Sequence, residues 1–140
     1  MSSVRKKDQK PHRLTTLDLI LDAYNHTTLL ISNPKIFDPR FQSLIDRIDM
    51  EASMIYHLCR TANEDYDNRK QDEALIRLRL QEEAIEKCMW LKTDIRLAQR
   101  RFHLRAKKVA YWNGLVNAAL DSIKAWHSAE KRRYKETFGL

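Results

Sequence analysis

Glycine and proline are nearly absent from this chain: two glycines and three prolines in 140 residues. Typical usage is about 7% and 5%. Both residues punctuate helices, so their scarcity excludes a turn-rich β architecture and predicts long, unbroken helices. Cysteine is equally sparse. Cys59 and Cys88 both fall in apolar helical patterns, which predicts small core residues kept reduced in a cytosol rather than a disulfide framework. No apolar run approaches the roughly 20 residues that cross a bilayer. The opening "MSSVRKKDQK" has no apolar stretch of the secretory kind, so a cytoplasmic protein without a membrane partner is expected.

Sites of chemistry are missing too. There is no HExxH, CxxC, GxSxG or glycine-rich loop, and the five histidines are scattered. His57 and Cys59 are two residues apart and point about 200° away from each other on a helix. Di-metal bundle sites need Glu-x-x-His on two helices, a pattern this chain does not have. The expectation is a non-enzymatic protein with no cofactor and no metal.

What is present is helical periodicity and basic charge. At 43% hydrophobic and 32% charged, the chain fits one globular domain. Residues 1–13 read as a basic flexible N-terminal arm, and 14–140 as the folded domain. A first helix is expected from an N-cap at Thr15 or Thr16, with apolar positions Leu17, Ile20, Leu21, Tyr24, Thr28 and Ile31. "SNPK" stops it at Pro34. "FDPRF" restarts the chain with Asp38 as N-cap and Pro39 in the first turn. The stripe Phe41, Leu44, Ile45, Ile48, Ala52, Ile55, Leu58/Cys59, Ala62 follows, with Asp46, Asp49, Glu51 and His57 expected on the opposite, solvated face.

"ALIRLRL" (74–80) alternates like a strand, yet the flanking "RKQDEA" and "QEEAIEKCMW" are strong helix formers. The sequence therefore predicts one helix over about 70–102, seamed by Leu78, Ile85, Cys88/Met89, Ile95, Ala98/Gln99 and Phe102. Arg77 and Arg79 lie partly outside that seam. A last helix, about 107–136, carries Val109, Trp112, Val116, Ala119/Leu120, Ile123 and Trp126; its Gly114 suggests a close approach by another helix. The fold class is all-α: an antiparallel up-and-down four-helix bundle with long third and fourth helices. Tyr111, Leu115 and Ala118 on the last helix, with Ile76, Leu80 and Leu91 on the third, form a second apolar face. That face, and the overhang of the longer helices, predict a homo-oligomer.

The net charge of +7 is uneven. Residues 1–13 hold five Arg/Lys and one Asp; 14–95 hold ten against fifteen Asp/Glu; 96–140 hold eleven against three. The basic excess sits at the two ends of the chain, and 96–120 contain no acid at all. Solvated helices ordinarily intersperse both signs, so an acid-free stretch points to a polyanion. The candidate contact residues are Lys92, Arg96 and Arg100 on one ridge with His103 continuing it. Arg101, Arg105, Lys107 and Lys108 stand at the third connection, and Lys131, Arg132, Arg133 and Lys135 near the C-terminus. No base-reading motif accompanies them, which leaves recognition of backbone or shape.

The segments "MSSVRKKDQKPHRLTTLDLILDAYNHT" and "YWNGLVNAALDSIKAWHSAEKRRY", on an all-helical basic chain, resemble the Avd proteins, the accessory variability determinants of diversity-generating retroelements. The resemblance implies a four-helix bundle assembled as a barrel-shaped homopentamer. It implies a reverse transcriptase as partner, and template RNA or cDNA held on the basic residues of the last two helices during mutagenic retrohoming. Similar bundles are encoded within ribosomal RNA insertions. A DNA-binding accessory of plasmid mobilisation would carry a comparable surface, and a structural scaffold without nucleic acid would need none of it.

Overall fold

The computed structural model describes residues 12–140, with side chains from Thr15 onward; residues 1–11 of the expected arm over 1–13 lie outside the described residues, and positions 12 and 13 belong to the first helix instead. Four helices follow in order: α1 (His12–Ile31), α2 (Gln42–Glu64), α3 (Gln71–Arg101) and α4 (Ala106–Phe138). No strand occurs among the described residues.

Each boundary has a local cause. Asp38 caps a 3-10 turn at Pro39–Phe41, its carboxylate accepting the Arg40 N–H at 2.9 Å, and this turn leads into α2. α3 opens with Asp72 and Glu73 in its first turn, where acids favour the helix dipole, and it runs straight through the alternating "ALIRLRL". α4 ends at Gly139, whose φ of 72° is the left-handed conformation that terminates a helix. α1 starts at His12, earlier than a cap at Thr15 or Thr16 would allow. Thr16 is instead an interior residue, its hydroxyl 2.6 Å from that of Ser122 on α4.

Backbones approach closely between α1 and α2, α2 and α3, α3 and α4, and α4 and α1, while among the described residues the diagonal pairs lie farther apart and meet only through the shared core. Partners run in opposite order. Thr16 meets Ser122 and Thr27 meets Trp112 across α1 and α4, and Arg47 meets Asp94 while Arg77 meets Ala62 across α2 and α3. The α1/α4 and α2/α3 pairs therefore run antiparallel.

The core follows one seam per helix. Trp112, Ala119 and Trp126 are all buried, as two heptads between the tryptophans require. Cys59 and Cys88 are fully buried and their thiols are pushed up by loss of solvent. On α1 the buried positions are Ile20, as expected, with Thr16, Ala23 and Thr27, each one residue off the expected stripe. Thr27 is admitted because its hydroxyl donates to the Ala23 carbonyl and accepts the Trp112 indole N–H at 2.9 Å.

Five expectations are corrected. Arg77 is 2% exposed, inside the α3 seam rather than outside it, and Glu51 is 2% exposed rather than on the solvated face of α2. Leu91 is core, not part of a second face, and Met89 is exposed, not part of the seam. A Cβ on Gly114 would meet nothing within 4 Å, so no helix among the described residues approaches it closely. The overhang of α4 finds part of its cover within the chain, where Tyr134 and Phe138 pack on Ala74 and Leu78 of α3.

Candidate nucleic-acid interface

The turn between α3 and α4 is short and rigidly placed. Phe37, from the connection after α1, packs in a tilted pair with Phe102 at 4.6 Å between centroids and meets Trp112 edge-on at 6.1 Å; Phe41 reaches Phe102 at 5.7 Å. This aromatic cluster ties the first and third connections together at one end of the bundle. His103 then takes φ 56°, a left-handed conformation uncommon for a residue with a side chain. It lets the chain reverse so that α4 begins at Ala106, and it removes His103 from the α3 ridge it was expected to continue.

Around this corner stand most of the predicted contact residues. Arg96, Arg100, Arg101, His103, Arg105 and Lys107 are exposed; Lys92 and Lys108 are half-buried. Lys131, Arg132, Arg133 and Lys135 are exposed on the last turns of α4. Lys107 and Lys131 are 24 residues apart on one helix, about 36 Å at 1.5 Å per residue, so the structure does not bring the two clusters together. Lys35 joins the corner instead. With His103, Arg105 and Lys108 it rims a pocket of about 370 Å³ floored by Ile36, Phe102 and Leu104. Its signal in the sequence was positional: in an up-and-down bundle, the connection after α1 and the turn after α3 share an end.

The electrostatics of the corner are one-sided. Among the described residues, none of the Arg and Lys at positions 92–108 or 131–135 has a carboxylate within 4.0 Å. Nearby Arg40 and Arg47 do, at 2.8 Å from Asp38 and Asp94. Arg101 lies over the Phe41 ring, 5.0 Å from its centroid, which supports the side chain without neutralising it. The field reaches His26 on α1. Partial burial, and after it the charge of Lys108, lower its pKa below the usual histidine value.

Helix α4 adds its own positive end. Its N-cap is Arg105, no side chain caps its first N–H groups, and no acid stands in its first turn. An N-terminus normally gathers Ser, Thr, Asp or Asn and acidic first-turn residues. Placing Arg105, Lys107 and Lys108 there works against helix stability and concentrates positive potential, the arrangement that suits a phosphate.

A different polar cluster occupies the other end. Arg77 donates to Glu130 and Tyr134 and to the backbone carbonyls of Ala62 and Tyr66; Gln81 and the Trp126 indole also donate to Glu130. Burial alone would raise the Glu130 pKa, but the hydrogen bonds from Arg77 and Tyr134 hold it below the usual carboxylate range. Burial and Glu130 push the Tyr134 phenol up to about 12. Each of these side chains makes at least one hydrogen bond within the cluster, only the Gln81 Oε1 among them being left without a partner, so this is a structural knot. No group of three His, Cys, Asp or Glu side chains among the described residues could hold a metal ion, and no helix among them is long and apolar enough to cross a membrane. No known family model, curated protein or solved structure matches the chain.

Proposed function

We propose that this chain is a non-enzymatic accessory protein that holds the phosphate backbone of template RNA or its cDNA for a reverse transcriptase. The observation that carries the proposal is the uncompensated corner: Arg96, Arg100, Arg101, Arg105, Lys107 and Lys108 sit on an acid-free stretch with no carboxylate partner. A surface built to stay in solvent would lose nothing by interspersed acids. This one keeps its charge available and places it beside a helix N-terminus. The reverse transcriptase as partner rests on the resemblance to the Avd proteins. So does assembly as a closed homopentamer, with support from Leu29 and Tyr111, large apolar side chains exposed on α1 and α4. A ring would gather corners that one subunit keeps apart.

The test replaces those six residues with Gln and measures binding to RNA and DNA across a salt series. The fold should persist, because none of the six belongs to the buried core. Affinity should fall, and the slope of log affinity against log salt should flatten by about 0.7–0.9 per lost phosphate contact. An unchanged slope rules the corner out. Purification from cells that encode a neighbouring reverse transcriptase separates the readings: the polymerase and RNA retained together support the accessory role, whereas plasmid DNA retained without a polymerase indicates a mobilisation accessory. Sedimentation at micromolar concentration checks the ring, which should run at several times 16.7 kDa.

A further inference from the structure

Phosphate binding uses the rim of the corner pocket and gives its floor nothing to do. The pocket measures about 370 Å³, near the small end of the roughly 300–1,000 Å³ typical of ligand sites. Its rim is Lys35, His103, Arg105 and Lys108. Neither lysine, nor Arg105, has a carboxylate within 4.0 Å among the described residues. Its floor is Ile36, Phe102 and Leu104. A flat basic face is enough to hold a polyanion by its phosphates. An apolar floor beneath cations suits a ligand that carries an anion and an apolar body together.

The floor is fixed from behind. Phe102 packs against Phe37 and Phe41, and both Phe102 and Leu104 are buried apart from a small fringe, 9% and 8% of their surface. Ile36 is the part-exposed member, and it too packs against the core. A surface held in this way loses little freedom when a ligand covers it. His103 closes the rim in a left-handed conformation, the one positive φ outside glycine among the described residues. Strained backbone of this kind gathers at sites that clamp a ligand, and here it leaves an exposed imidazole on the rim.

We infer, resting on the reading of the corner as a phosphate surface, that this pocket takes one unpaired nucleotide of a single strand. The base lies on Ile36 and the fringes of Phe102 and Leu104, with the His103 imidazole beside it as an aromatic partner. The flanking phosphates meet Lys35, Arg105 and Lys108. A duplex cannot use the floor, because its bases face inward and it offers the pocket only backbone. Asp and Glu of an acidic peptide bring charge without a flat apolar body. Every base has an apolar face, so contact of this kind is tolerant of sequence, in keeping with a chain that carries no base-reading motif. A template held by an unpaired nucleotide stays open, the state in which it can be copied.

The test compares three labelled probes of equal length on the whole protein, by fluorescence anisotropy across a salt series. They are a single strand of thymidine, the same strand with every base replaced by an abasic sugar, and the duplex of the first with its complement. The abasic strand keeps its phosphates, so its affinity should still fall with salt. It should nevertheless bind about fivefold more weakly or worse, the low end of what one base contributes in such contacts. The duplex, despite its greater charge, should bind no more tightly than the thymidine strand. I36S should erase the difference between intact and abasic strands while keeping its salt slope and helical circular dichroism. H103G retains the turn, since glycine takes positive φ freely, and should narrow the same difference. Equal affinity for intact and abasic strands, or a duplex bound more tightly than the single strand, overturns the pocket and leaves the phosphate surface standing. So does an unchanged base preference in either folded variant. No salt-dependent binding by any probe removes both readings.

Discussion

Two charged residues, Arg77 and Glu130, decide the end of the bundle opposite the basic corner. Each is more deeply buried than the neighbouring Leu75 and Leu78, and each is tolerable only because the other is present. Arg77→Ala would strand Glu130 in the interior and should cost roughly 3–5 kcal/mol, the penalty typical of breaking a buried pair. Urea denaturation reads this directly, and a loss under 1 kcal/mol would mean that the knot is not what holds α3 to α4. Glu51 acts in the opposite sense. The native state keeps its proton to about pH 8, while the unfolded chain releases it near the ordinary glutamate value. Between those limits the unfolded state binds fewer protons, so stability should fall as pH rises, by up to about 1.4 kcal/mol per pH unit. Glu51→Gln should abolish that fall, and a wild-type stability flat from pH 5 to 8 would contradict it. Neither residue was legible from sequence. Ranking by polarity puts arginine and glutamate outside, although 74, 77, 81, 84 and 88 keep the 3–4 spacing of a buried seam.

Helices were legible because their signals are redundant. Pro34, Pro39 and the polar "NEDYDN" all mark breaks at which the structure breaks, and helix-forming flanks overrode the alternation of "ALIRLRL". The start of α4 is the informative exception, since its residues oppose the element they begin. Arg105→Asp would supply the missing cap and complement the dipole, and should stabilise the protein by about 0.5–2 kcal/mol. The same substitution should weaken polyanion binding. Thermal melting and a binding titration on one variant therefore move in opposite directions. A destabilised variant, or one that binds RNA as before, would remove α4's N-terminus from the interface.

For the molecule as a whole, topology followed from four amphipathic segments and short connections, whereas the assembly of the corner did not. Lys35 entered through the Phe37–Phe102 contact, a tertiary pairing invisible to any local pattern, and His103 left the ridge through a single backbone rotation. The two cysteines hold a further consequence. Cys59 on α2 and Cys88 on α3 are both wholly buried, and burial pushes both thiols up, Cys88 raising Cys59 further. Thiol reagents cannot reach either sulfur until α2 and α3 part. The pair is thus a stopwatch wired into the interior: labelling by an aromatic disulfide should mark both sulfurs at one common rate, and that rate should climb with urea in step with global unfolding. Two separate rates would mean that the bundle opens by leaves rather than all at once.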